Sequence, residues 1–127
     1  MRRIIFSVYQ DNLDHNENLT NYLKVAAKFK SIGTSFKFML GAYKGKKEAS
    51  FEVFPITRWQ LGEIIRIATE YNQECVLDLY SNEARLLYLA SGSSERIGQW
   101  KEVDEAYALK QKAYSLDAET GKYYVVE

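Results

Sequence analysis

The chain has 127 residues, with 17 Lys and Arg against 17 Asp and Glu, so its formal net charge is zero. That length suits one domain spanning residues 1–127, and the balanced charge lacks both the basic excess of a nucleic-acid binder and the acidity of a nucleic-acid mimic. A single cysteine, Cys75, and a single histidine, His15, exclude an internal disulfide and leave no soft-metal constellation, which fits a reducing cytoplasm.

The N-terminus is basic and then apolar, but Gln10, Asp11 and Asn12 interrupt it far short of a signal peptide or a membrane span. The expectation is a soluble protein retained in the cell that makes it. Residues 3–9, rich in Ile, Phe, Val and Tyr, predict a first strand of near-continuous apolarity, as a central strand has. A polar loop over 11–18 holds His15. Asn18 is the expected cap of a helix whose Tyr22, Val25, Ala26 and Phe29 recur at helical spacing until Gly33.

A β-hairpin follows over 36–54. Phe36, Phe38, Leu40 and Ala42 alternate with Lys37, Met39, Gly41 and Tyr43, and Ala49, Phe51 and Val53 alternate with Glu48, Ser50 and Glu52 across a Lys/Gly turn. If the Phe/Leu/Val set faces the core, Tyr43 and Glu48 share the opposite sheet face beside the turn. A solvated hairpin end, with Glu48 balancing Lys44, Lys46 and Lys47, explains the same residues without function. Pro55 and an N-cap at Thr57 then open a second helix, with Leu61, Ile64, Ile65, Ala68 and Tyr71 on one stripe. Residues 75–80 predict a strand, 81–84 a turn, and 85–90 its partner. The tail adds short strands around Trp100, around Tyr114 and over 122–126, with 117–121 as a turn.

The order β-α-β-β-α-β defines an α+β, ferredoxin-like sandwich with extra C-terminal strands. Two helices cover one sheet face and leave the other bare, to be shielded by the tail or by another subunit. Met39, Phe54, Tyr80, Leu87 and Leu89 would add to an apolar patch there, which favours a cyclic oligomer packed sheet against sheet.

No Gly-x-Ser-x-Gly, phosphate-cradling Gly-Lys-Ser/Thr loop or His-Glu-x-x-His occurs, so hydrolase chemistry of those types is unsupported. Cys75 reads as a structural thiol rather than as half of a Cys/His dyad. The ten tyrosines sit at strand and helix positions and lack the basic stripe that would make them a nucleic-acid platform. Trp59 and Trp100 read as packing anchors, and Glu52 and Glu74 as surface ion-pair partners.

Four segments, in order and spread over nearly the whole chain, resemble the bacteriophage S-adenosylmethionine lyases, also called SAM hydrolases. They are residues 7–13 (SVYQDNL); Gly41-Ala42-Tyr43 with residues 48–53 (EASFEV); residues 71–77 (YNQECVL); and the tail pattern of Glu102-Val103, residues 114–117, Gly121 and Val125. The resemblance implies a homotrimer related in shape to the PII-like signalling trimers, with SAM bound between subunits and neither metal nor other cofactor. It implies Glu48 as the essential carboxylate and Tyr43 as the active-site tyrosine, with Gln73 as a functionally important glutamine. Asn12 and Ser50 are further substrate-binding candidates; a turn residue stabilising its own loop is the preferred reading of Asn12, and tying down a helix end is an alternative for Gln73. The chain departs from the better-known coliphage members in a shorter hairpin between tyrosine and carboxylate, and in Lys47 where those carry a second acid.

The implied chemistry is attack of the substrate's own carboxylate on its γ-carbon, which expels 5′-methylthioadenosine and closes L-homoserine lactone. It needs no protein nucleophile, which agrees with the missing motifs. Its expected setting is the cytoplasm of an infected bacterial host, where it would deplete the cofactor of restriction systems. Two other classes remain open: a non-enzymatic PII-like sensor of SAM or a nucleotide, and a phage protein that inhibits a host enzyme by direct binding.

Overall fold

The computed structural model describes residues 2–43 and 45–127. Eleven elements follow one another: β1 (Arg2–Phe6), α1 (His15–Ser31), β2 (Ser35–Tyr43), β3 (Lys46–Phe54), α2 (Arg58–Glu70), β4 (Cys75–Tyr80), β5 (Glu83–Tyr88), β6 (Ser94–Val103), α3 (Glu105–Leu109), β7 (Tyr114–Asp117) and β8 (Tyr123–Val126). The protein is α+β, and its antiparallel strands close into a barrel in the order β1-β3-β2-β7-β8-β6-β5-β4. Closure removes every sheet edge.

The bare sheet face expected from the sequence is therefore the barrel lumen, and strands β5 to β8 of the same chain enclose it. Met39 is fully buried there with Ile5, Leu79, Ala84 and Trp100. Leu87 and Leu89 pack instead on the helix side, because Leu87 pairs with Val76, whose side chain lies under the helices. The expected patch divides between two cores, and the argument for covering it with a second subunit falls with it. Tyr80 stays exposed.

The larger core lies between the outer sheet face and helices α1 and α2. Phe51 is its centre: the Tyr22 ring stacks on it at 4.3 Å and 16°, and Phe29 meets it edge-on at 5.0 Å. Each such buried ring contributes about 1.5–3 kcal/mol by leaving water. Tyr22 also donates from its hydroxyl to the Ser50 carbonyl at 2.7 Å, which fixes α1 against the strand that carries Glu48. A short third helix, α3, was not expected; Asp104 caps it, and its Ala108 is fully buried.

The helix caps differ in one place from expectation. Asp14, not Asn18, caps α1, in a capping box with Glu17 worth about 1 kcal/mol. Asn18 lies inside the helix, buried, where its amide accepts from the Gln10 N–H at 2.8 Å and donates to the Gln10 carbonyl at 3.1 Å. Asp14 and Asn18 are both good capping residues, but only Asp14 has a glutamate three residues on to complete the box; Asn18 is followed at that spacing by Asn21. Thr57 caps α2 as expected, boxed with Gln60. Strand β5 begins two residues earlier than its sequence pattern suggested, because the β4–β5 turn contracts to Ser81 and Asn82, with Ser81 at φ 52°.

Four charged side chains close one end of the lumen. Arg3 donates to Glu52 at 3.1 Å and to the Ser81 carbonyl at 2.7 Å, and Lys37 meets Asp117 at 3.1 Å. Glu52 is thus a buried lumen residue rather than a surface one. Trp59, expected to anchor packing, is exposed at the start of α2.

Candidate active site

At the other end, where the β2–β3 hairpin turns, the lumen opens as a cavity of about 350 Å³. That volume is in the range of small-molecule sites. The fold brings together residues far apart in sequence: Tyr43, Glu48 and Ser50 from the hairpin, Gln73 from the α2–β4 connection, Cys75 at the start of β4, and Tyr114 and Ser115 from β7. The wall beyond is Leu77, Leu86, Trp100, Tyr124 and Val126, so the cavity is largely aliphatic and aromatic.

The hairpin register explains the juxtaposition. Gly41 stands opposite Glu48 and Tyr43 opposite Lys46, so Tyr43 and Glu48 lie diagonally on the lumen face, as the alternation predicted. The lumen end of the hairpin is held by the Gly45 N–H, which donates to the Lys112 carbonyl at 3.1 Å, and by β2–β7 pairing. Lys44, which the sequence reading placed in this turn, lies outside the described residues.

Glu48 is half-buried, and its carboxylate makes no hydrogen bond or ion pair among the described residues. Burial, and then the nearby Asp11 carboxylate, raise its pKa above the usual carboxylate value, while Lys46 opposes them. Lys46 is itself engaged by Asp11. Glu48 also borders a second, polar cavity of about 240 Å³, lined by Gln10, Asp11, Asn18, Lys46 and Lys47 among others. One carboxylate therefore forms part of both walls.

Gln73 reaches the cavity and serves the scaffold as well. Its Nε2 donates to the Tyr9 carbonyl at 3.0 Å and the Tyr71 carbonyl at 3.2 Å, which directs the use of Oε1 as the acceptor. Ser50 is buried beside Gly41; Tyr43 is 54% exposed at the mouth. Asn12 is exposed in the loop before α1 and lines neither cavity. His15 opens α1 and is likewise outside both, so Cys75 has no histidine beside it in either lining.

Sequence reasoning missed the far wall. Trp100 and Tyr124 read as packing residues and do pack, but they also line the cavity. No local signal marks them, because β6 and β8 reach this position only through barrel closure. Among the described residues no group of three or more His, Cys, Asp and Glu is placed to hold a metal ion. No helix among them is long and apolar enough to cross a membrane.

Among the described residues, two carboxylates, half-buried Glu48 and exposed Glu74, line this otherwise largely aliphatic and aromatic cavity. No curated protein matches the chain significantly. The family model of the S-adenosylmethionine lyases matches residues 4–127, and the chain belongs to that family. It is accordingly an enzyme of the lyase class, with SAM as the substrate the family implies.

Proposed function

We propose that the protein cleaves S-adenosylmethionine to 5′-methylthioadenosine and L-homoserine lactone. A carboxylate oxygen of the substrate attacks its own γ-carbon, the Cγ–S bond breaks, and its electron pair neutralises the sulfonium. The α-ammonium keeps its protons, and no water or protein nucleophile takes part. The observation that carries this reading is the half-buried Glu48 carboxylate on the wall of an apolar cavity, shared with Tyr43, Ser50 and Gln73, in a chain of this family.

Glu48 pairs with the α-ammonium in this scheme. That contact draws the ammonium away from the substrate's own carboxylate, which is then free to fold onto the γ-carbon. Tyr43 lies over the sulfonium side, the Gln73 Oε1 accepts from the ammonium, and the Ser50 hydroxyl donates to the amino-acid end. Opposite charges meet and cancel in the transition state, so an apolar chamber that sheds water favours it over the solvated ground state. Positioning and dehydration carry the rate.

The strand order β4-β1-β3-β2 with two helices on one face supports a ferredoxin-like core inside the barrel. We extend the proposal to a homotrimer in which a neighbouring chain caps the mouth beside the exposed Tyr43; exposed Phe38 and Leu40, on the opposite face of the same strand, support it. The setting we propose is the cytoplasm of an infected bacterial host, as a counter-restriction activity.

The test is incubation of the pure protein with SAM and chromatography of the products. Methylthioadenosine with homoserine lactone is the expected result. Binding without product would instead indicate a sensor, and a stoichiometric protein complex without turnover an inhibitor.

A further inference from the structure

One rung of the barrel carries Glu48 and, two strands away, a hydroxyl. Across β3, β2, β7 and β8 the paired residues are Glu48, Gly41, Ser115 and Tyr124. Directly paired residues of an antiparallel sheet point to the same face, and Tyr124, stacked on Trp100, marks that face as the lumen. Glu48 and Ser115 therefore project into the cavity from either side of Gly41, and both line it. Two strand spacings separate them, about 9.5 Å at the backbone. Glu74, the other carboxylate of the lining, lies off this rung, in the α2–β4 connection.

The fold makes no use of the hydroxyls on this floor. Ser50, diagonal to Gly41 on β3, is 7% exposed; its carbonyl accepts from Tyr22, but its hydroxyl makes no hydrogen bond among the described residues. The half-buried Ser115 hydroxyl makes none either. Among the described residues, the side-chain polar atoms that are both unmet and sealed from water belong to Thr34 and Trp100, so the two serine hydroxyls stay open to the cavity. Polar groups this far inside a protein are almost always satisfied, and here only a ligand is in position to do it.

The rung is complementary to a zwitterion. An ionised Glu48 offers only acceptors, and Ser115 offers a donor. We propose that Ser115 is a specificity-determining residue for the amino-acid end of the substrate, its hydroxyl donating to the substrate carboxylate across Gly41 from Glu48; this rests on the SAM-lyase reading above. The substrate α-carbon lies over Gly41, with its ammonium on Glu48 and one carboxylate oxygen on Ser115. That oxygen becomes the lactone carbonyl, and the other is left free to attack the γ-carbon. Holding the two charged groups from opposite sides turns the attacking oxygen towards the carbon it must reach.

The probes are S-adenosylhomocysteine, a thioether that keeps the full amino-acid end, and 5′-(3-aminopropylthio)adenosine, the same molecule without its carboxylate. Their binding to wild type and to Ser115→Ala is measured by calorimetry. Ser115→Ala is expected to weaken S-adenosylhomocysteine about tenfold, the lower end for a hydrogen bond to a charged group, and to leave the aminopropyl compound unchanged. Equal weakening of both probes would mean that the hydroxyl serves the ammonium or the fold, and would overturn the assignment, as would no weakening of either. Should Ser115→Ala fail to fold, Ser115→Cys, a poor donor of similar shape, is read by the same criteria. SAM turnover is followed in the same samples. Turnover without the selective loss overturns the Ser115 assignment and leaves the lyase reading standing. The selective loss without turnover leaves the amino-acid subsite standing and overturns the lyase reading, and neither turnover nor binding overturns both.

Discussion

Glu48 stands directly across the β2–β3 ladder from Gly41, the one lumen position of this hairpin without a side chain. A Cβ at Gly41 would lie 3.3 Å from the Tyr114 carbonyl and 3.7 Å from the Ser50 hydroxyl, so the missing atom is also the space in front of the acid. Gly41→Val is expected to lower kcat/KM for SAM by about 100-fold, the scale of a displaced reacting group. Circular dichroism should show the barrel retained. A fully active Gly41→Val protein would place the substrate elsewhere.

Glu48→Gln removes the half-buried carboxylate from the cavity wall while keeping its shape. The expected outcome is a loss of about 100- to 1,000-fold in kcat/KM, the size of one lost electrostatic contact in a dry site. The thermal midpoint should hold or rise, because a charge that burial disfavours has been removed. Product assay and a melting curve on one preparation check both. Loss of fold rather than of turnover would make Glu48 structural.

The pH profile follows from the surroundings of the same residue. Burial first and Asp11 second raise the Glu48 pKa above the ordinary 4.5, and only the ionised form attracts the ammonium. The acidic limb of kcat/KM should therefore lie above 4.5. Asp11→Asn removes a like charge and releases Lys46, so the limb should move down; Lys46→Met should move it up. The stability linkage has the opposite sense: an acid whose folded pKa is raised gives stability that is present below its unfolded pKa and lost as pH rises through the folded one. Wild type should lose stability relative to Glu48→Gln over that interval, which denaturant titrations at several pH values would show.

Asp117 behaves in the contrary way at the closed end of the lumen. Burial alone would raise it, but Lys37 and the backbone N–H groups of Glu119 and Thr120 outweigh burial and hold it below its usual value. Its contribution is present above the unfolded pKa and lost as pH falls through the folded one. Asp117→Ala is expected to cost about 1–3 kcal/mol by leaving those donors unmet, a figure that already discounts Lys37 for its partial exposure. The protein that remains folded should keep its KM for SAM, since Asp117 does not line the cavity.

At Gly98 a side chain has no room. Its φ is +143°, and a Cβ there would meet the Glu127 backbone at 2.9 Å. Gly98→Ala should loosen β8 from β6 and lower the midpoint by several degrees, since both strain and a backbone clash oppose it. Faster amide exchange at residues 125–127 is the local signature to measure.

Local pattern alone determined a good deal. Period-two alternation over 36–54 placed Tyr43 and Glu48 on one face, since the pleat leaves no other choice, and Thr57 announced α2 by its capping box. The family was legible in short segments around those residues and is confirmed over residues 4–127. What alternation could not say is what the other face looks at. Whether Met39 meets a second subunit or a strand of its own chain depends on pairings such as Leu40 with Leu116 and Trp100 with Val126, between residues remote in sequence. Side-chain periodicity reports which side of a strand is apolar, not which strand lies alongside it. For that reason the closed lumen, its charged plug and the Trp100–Tyr124 wall came only from the tertiary structure, while the acid at the mouth was already written in the hairpin.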